Sequence, residues 1–461
     1  MQNIATPTTS IACHHSRWKL NRDFIAGEYA VKSITAGYLP RLPVHDPCAF
    51  PNANEAYCSY LNRTNFFPAS ARILDGIKGM IFRKLPHFKC ATSLQSLFNT
   101  ITADGCNVFD LAENVVGEVM ATNFTGLYVD YPSIPAGTSQ AEMERLNHRP
   151  FITLYPAESI LEVTTSVIAN VQTITRVRLM DNAETIRELV LNDGVYMIVI
   201  HDHVNGQWLP REPIIPAKNN KPINRIPFVL VSTKARSTKP SKAVMDDICL
   251  LNKQLFQAQA NAGNSLYYCA NPILVFKGVA QTDIKMSAGT ILFFEGHTSE
   301  TPVDVEYVEY KGTAQSALDD AVATLKDELK AVGGRIISPD GKTGVESAEA
   351  LNLQRDSENS VLASHAKTIS RAIREALQIV ADWLGSAEPV EFELNTDFNP
   401  QALTAQERAQ IVSEWLAGLY THETALGMLI DGEILPDSFD IEGEIERVSS
   451  EQLSKDKPSS F

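Results

Sequence analysis

Residues 325–384 read LKDELKAVGGRIISPDGKTGVESAEALNLQRDSENSVLASHAKTISRAIREALQIVADWL, and this stretch decides the fold. Leading into it, Leu318, Val322, Leu325 and Leu329 recur at four-and-three spacing, which predicts one apolar helix face. Gly333-Gly334 should stop that helix, because glycine accepts the dihedrals of a helix C-terminus. A polar loop follows, and Thr343-x-x-Glu346 reads as a capping box that opens the next helix. Leu362, Ala366, Ile369, Ile373, Leu377, Val380 and Leu384 then keep helical phase with few breakers. A helix of roughly 40 residues would be about 60 Å long at 1.5 Å per residue. Few monomeric domains of this size need such a strut. A loop slung between two helices, one very long, hints at a machine built from copies.

Upstream, Val244, Ile248, Leu251, Leu255, Ala258 and Ala262 hold helical phase from the Pro240 segment to about residue 264. Pro272 opens Ile273-Leu-Val-Phe276, Gly289 precedes Thr290-Ile-Leu-Phe-Phe294, and Val303 to Tyr307 alternates. That is a compact β module between two helices. Further upstream, residues 14–36 look helical up to Pro40, 56–84 reads as one or two helices, and 106–122 as another. Strands are expected at 127–131, 151–155, 173–179, 195–200 and 227–231, which makes an α+β region. Beyond the long helix, Val390 to Leu394 alternates as one strand, and Thr404-x-x-Glu407 is a capping box before Ile411, Trp415 and Leu419. Thr421 can cap a further short helix bearing Leu426 and Leu429-Ile430. The last 31 residues carry nine acids and three bases, which reads as a solvated, partly disordered tail.

At 461 residues the length suggests about three domains. The net charge of -15 argues against a general nucleic-acid coat, whose affinity comes from cations neutralising phosphates. It leaves open a channel through which DNA slides without sticking. The seven cysteines are odd in number and include no C-x-x-C pair, so a reduced, intracellular setting is expected. The start of the chain lacks the basic-then-apolar order of a signal peptide, and no apolar run approaches the length of a membrane span.

Three further sets of residues complete a pattern. They are Trp18, Arg22-Asp23, Gly27, Val31-Lys32 and Tyr38-Leu39-Pro40; Tyr60, Arg63, Phe66-Phe67, Arg72, Leu74, Gly79 and Phe82; and Asn395-x-Asp397-Phe398 ahead of a capped helix. Together with the element order, they make the chain resemble the portal proteins of tailed bacteriophages over nearly its whole length. The first two sets are similar to a subgroup of portals known as an uncharacterised phage family.

The resemblance implies an α+β, portal-type fold. Residues 1–239 would be an α/β wing, 240–265 and 313–332 two stem helices, and 266–312 a small β clip between them. Residues 333–344 would be a tunnel loop, 345–400 a long wing or spine helix and strand, and 401–461 a short helical crown with the acidic tail. The implied function is a ring of about twelve copies at one capsid vertex. Such a ring is a conduit for double-stranded DNA packaging and ejection, and a docking platform for terminase and the head–tail connector. Implied partners are the terminase large subunit, a head–tail adaptor, the major capsid and scaffolding proteins, and the passing DNA. No membrane, cofactor, metal or catalytic residue is implied, and the place is the virion, after assembly in the host cytoplasm. The tunnel loop would offer Lys330, Arg335 and Lys342 to DNA. The clip would offer Phe276, Lys277, Lys285, Phe293 and Phe294 to partners.

Other chemistry competes with this reading. Gly341-Lys342-Thr343 looks like the end of a phosphate-binding loop, but Ile336 stands where its first glycine belongs and a helix precedes it instead of a strand. A nucleotide-driven packaging enzyme is therefore the alternative, together with a non-portal virion structural protein. His201-Asp202-His203 puts two imidazoles on one side of an extended segment without a third ligand, so a surface turn is favoured over a metal site. His14-His15 reads as a helix-start pair. Tyr267-Tyr268 and Phe293-Phe294 are either partner anchors or packing within and between subunits. In an isolated copy, Val244, Ile248 and Leu255 should be incompletely buried, because a neighbour would cover them.

Overall fold

The computed structural model describes residues 3–132, 142, 145–146, 148–218, 221–234, 237–270, 273–277, 304–308, 312–334, 348–386, 388–398, 403, 405–432, 434–435 and 439–455. One large apolar core gathers four helices around Val108–Thr122. That helix starts where the Asn107 side chain accepts from the Phe109 and Asp110 N–H groups, and ends at Asn123 in the left-handed region. Both ends thereby satisfy backbone groups that a helix leaves orphaned. Its Val115, Val116, Val119 and Met120 are wholly buried. Around it pack His15–Ala26, Ala69–Ile81, Met245–Ala270 and the long helix Ala348–Leu384. The expected 14–36 helix is broken at Gly27, whose φ of 96° a side chain would resist.

In chain order the strands are β1 (His87–Lys89), β2 (Thr125–Asp130), β3 (Phe151–Tyr155), β4 (Ile160–Ile168), β5 (Val171–Asn182), β6 (Thr185–Asn192), β7 (Val195–Val204), β8 (Gln207–Pro210), β9 (Ala217–Lys218), β10 (Lys221–Pro222), β11 (Phe228–Val231), β12 (Ile273–Lys277), β13 (Asp304–Val308) and β14 (Glu391–Glu393). Strands β11, β2 and β3 form an antiparallel sheet on the main core. Strands β4 to β8 form a five-stranded meander with a second core around Tyr128, Leu179 and Tyr196. Three of its turns hold two residues, each with positive φ: Ala169-Asn170, Asp193-Gly194 and Asn205-Gly206. That is the turn whose twist matches paired strands.

The helix expected to stop near residue 264 runs on to Ala270. Tyr267 and Tyr268 are therefore helical rather than part of the β insert. Gln315–Leu329 follows the insert and packs along the first helix. It does not stop on a left-handed glycine as expected. Lys330–Gly334 continues it as one π-helical turn, and Gly333 is not in the left-handed region. Gly333 is needed for another reason, since a Cβ there would overlap Ile73.

The long helix has 37 residues, which gives about 55 Å. Its end is tied down by Arg225 to Asp382 and by Gln378, which accepts from the Val390 N–H. Strand β14 then pairs with β1, joining position 391 to position 89. Helices Ala405–Leu416 and His422–Asp431 follow, and the Thr421 hydroxyl caps the second as expected. The tail departs from expectation: Ile441–Lys455 is a helix. The Asp440 carboxylate accepts from the Gly443 N–H, and Glu442 and Glu444 sit where the helix dipole favours acids. The capping residues Thr343 and Thr404 lie outside the described residues.

Candidate functional site

The Met245–Ala270 helix is anchored in the core at its start and exposed at its end. The buried Asp246 carboxylate accepts from the Ala243 N–H at 3.0 Å and from Asn21 Nδ2 at 2.7 Å, with Arg17 Nη1 at 3.3 Å. Ile248, Cys249, Leu255 and Phe256 face the core of the same chain. Ile248 and Leu255 are thus already covered within one copy, against the expectation that a neighbour would cover them. Burial pushes the Cys249 thiol up to about 12, so it packs as a small hydrophobe and is no nucleophile. Past Ala262 the helix leaves the core. Leu266, Tyr267 and Tyr268 are exposed, and the Arg63 guanidinium lies 3.6 Å from the Tyr267 ring centre.

Strands β12 and β13 form a hairpin beyond this end, with Phe276 opposite Val305 and Lys277 opposite Asp304. The chain returns at Gly312, where φ is 60° and a side chain would strike Cys269. Gln315–Leu329 then turns Leu318, Val322 and Leu325 inward and buries Leu329. Its outer face carries Ser316, Asp320, Thr324 and Asp327, all exposed.

Of the basic residues expected at the loop, Lys330 is exposed and donates to Asp327 at 2.8 Å on its own helix. Arg335 and Lys342 lie outside the described residues, as do Lys285, Phe293 and Phe294. Phe276 and Lys277 end the hairpin's first strand. What precedes the Gly341-Lys342-Thr343 segment is a helix, which a phosphate-binding loop does not follow.

Elsewhere the charged groups hold sheets and helices together. Arg22 donates to both oxygens of Glu118 and both of Glu158, at 2.6 to 3.1 Å. Burial alone would pull its guanidinium down, but the two carboxylates hold it well above its ordinary value. Arg187 bridges Asp130 and Asp181 at 3.1 Å, joining the three-stranded sheet to the meander. Burial raises the Asp130 carboxyl in spite of that partner. Tyr128 and Tyr196 share a buried hydroxyl contact of 3.0 Å. His201 turns inward to Glu188 at 2.9 Å, while His203 stacks on Trp208 and Asp202 takes Arg211. His14 and His15 open a helix and pack on Trp18. Among the described residues, no three His, Cys, Asp or Glu side chains gather as metal ligands.

Residues 245–384 match a family model described as a domain of unknown function, DUF4055. The match begins at the first residue of the Met245–Ala270 helix and ends at the last residue of the long helix. It therefore spans the helix pair, the hairpin and the long helix. No curated protein matches the chain. Among solved structures, a chain in "Neck of empty GTA particle computed with C6 symmetry" is similar at 14% identity and TM-score 0.41, over 79% of this chain and 90% of that one. A chain in "Virion of native gene transfer agent (GTA) particle" is similar at 14% identity and TM-score 0.40, over 80% and 92%. A third, in "Neck of native GTA particle computed with C12 symmetry", has 12% identity and TM-score 0.37, over 79% and 89%.

Sequence reasoning passed over one exposed feature near this region. Lys367, Arg371 and Arg374 line the solvent face of the long helix. Their four-and-three spacing was the available signal, the same one that marks Ala366, Ile369 and Ile373 as buried. It also passed over β4, β6 and β8, although Asp193-Gly194 and Asn205-Gly206 are strong hairpin signals.

Proposed function

We propose that the chain is a ring-forming portal protein of a tailed phage or phage-like particle. The observation that carries this reading is the element order from Met245 to Leu384: helix, β-hairpin, returning helix, very long helix. A hairpin raised on two packed helices suits a partner-binding knob, here the clip. The segment between the returning helix and the long helix suits a contact with a passing duplex, here DNA touched by Lys330, Arg335 and Lys342. The chain would form a ring of about twelve copies, or about 600 kDa at 50.8 kDa each. Such a ring would pass DNA inward during packaging and outward during ejection, and would dock terminase and the head–tail adaptor through the hairpin.

The net charge of -15 suits this role, because a conduit that held phosphates tightly would stall the DNA. The test is imaging of the purified chain in negative stain, with light-scattering mass and an ATPase assay. Rings with a central hole and no ATP turnover are expected. A strictly monomeric, well-folded chain at micromolar concentration, or intrinsic ATP hydrolysis, would overturn the reading.

A further inference from the structure

Three cations on the long helix form an exposed row. Lys367, Arg371 and Arg374 are exposed and, among the described residues, make no ion pair or hydrogen bond. They continue a row begun by Ser360 and Ser364, on the face opposite the wholly buried Ala366, Ile369 and Ile373. Glu375, at the edge of the row, is the nearby carboxylate in sequence. In a chain of net charge -15 this row is a local exception.

Its complement is on the same chain. The Gln315–Leu329 helix presents Asp320 and Asp327 directly opposite its buried stripe, with Asp319 and Glu328 at the flanks, all exposed. Asp320 and Asp327 are seven residues apart, and so are Lys367 and Arg374. Seven residues of α-helix span about 10.5 Å, so the two rows have one pitch. Ala323 and Thr324, exposed between the acids, are small enough to admit a neighbouring helix closely. Among the described residues Asp327 pairs with Lys330, in an exposed i,i+3 pair that is worth little to break.

We propose that the basic row Lys367–Arg371–Arg374 of one copy docks against the acidic face Asp320–Asp327 of a second copy. This rests on the ring reading and goes beyond it by naming the two faces that meet. The faces belong to different elements. The long helix packs on β2, β11, β14 and the Val108–Thr122 helix, and the Gln315–Leu329 helix packs on Met245–Ala270. Because two different faces meet, the contact can repeat from copy to copy and so propagate round a ring. Exposed pairs of this sort add little affinity singly, but they set orientation and register. DNA is the rival occupant of the row, and the equal pitch of the acidic face favours the second copy.

The test is charge reversal with rescue. The triple variant Lys367→Glu, Arg371→Glu, Arg374→Glu should raise the concentration at half-assembly about tenfold or more. A milder variant with glutamine at the same three positions should act in the same direction and guards against misfolding of the reversed one, with circular dichroism as the check. Asp320→Lys with Asp327→Lys should weaken assembly likewise, and all five reversals together should restore most of it. Raising salt should weaken the wild-type ring more than the glutamine variant's. Wild-type rings that persist unchanged in the triple and glutamine variants would overturn this inference and leave the ring reading standing. Failure of the five-fold variant to recover, with each parent folded, would overturn it too, as would intact rings that have lost only duplex-DNA binding. A wild-type chain that never assembles would instead sink the ring reading itself.

Discussion

Gly333 lies flush against Ile73, and a single methyl group added to the glycine would overlap the isoleucine side chain. The contact joins the π-helical turn at Lys330–Gly334 to the Ala69–Ile81 helix of the main core.

Gly333→Ala should therefore destabilise the protein by about 1–3 kcal/mol, the usual cost of overpacking. Ile73→Val removes the methyl that the new Cβ meets first and should cost about 0.5–1.5 kcal/mol alone. The double variant should be more stable than the sum of the two losses implies, because they share one contact. Denaturant midpoints of the four proteins measure this. Strict additivity would show that the glycine serves the turn's backbone and not the close approach.

Arg22 ties the Val108–Thr122 helix to the turn before β4 through Glu118 and Glu158. Arg22→Lys keeps the charge but cannot form two forked pairs. With the site about one-third open to solvent, the expected loss is about 1–2 kcal/mol. A thermal-unfolding midpoint equal to that of the wild type would show the clamp to be dispensable.

Burial holds the His365 imidazole on the long helix below its ordinary value. The folded state then binds this proton less readily than the unfolded chain. Its contribution to stability is complete above the unfolded value of 6.5 and is lost as pH falls through the lower folded value. His365→Gln should flatten that part of the stability curve on the acid side of pH 6.5. Parallel curves for the two proteins down to pH 5 would contradict the assignment.

The hairpin should be removable, but the cut must respect the helix that runs to Ala270. Replacing residues 272–311 by a short linker keeps Tyr267 against Arg63 and Gly312 beside Cys269. Helix content and ring formation should survive, while binding of a packaging motor or connector should be lost. DNA packaging at the wild-type level by this variant would remove the hairpin from the docking role.

Deleting Ile336 to Gly341 should likewise spare the ring, because the helices on either side carry the packing. It should impair packaging or retention of DNA. Arg335→Glu with Lys342→Glu should act more weakly, since transient exposed contacts are screened by salt. A deletion that destroyed the ring, beside a double substitution without effect, would make the loop structural and remove it from DNA contact.

The amino-acid sequence by itself determined most of the helices, their order and the presence of a β insert, because periodicity, caps and turn dipeptides act within a few residues of one another. Leu318 to Leu329 and Leu362 to Leu384 could be read as helix faces without knowing what they touch. The Thr421 cap was legible for the same reason, and the Asp193-Gly194 and Asn205-Gly206 turns were open to the same reading. Tertiary structure alone decided which apolar faces stay open. Ile248 and Leu255 are closed by helices from more than a hundred residues away, while Leu266 and Tyr268, in the same helix, lie past the edge of that core. It also decided the pairing of β1 with β14, the reason for a glycine at 333, and the exposure of Lys367, Arg371 and Arg374. Helical phase is a local property of the backbone, whereas burial depends on which distant segment arrives to exclude water, and no window along the chain contains both partners.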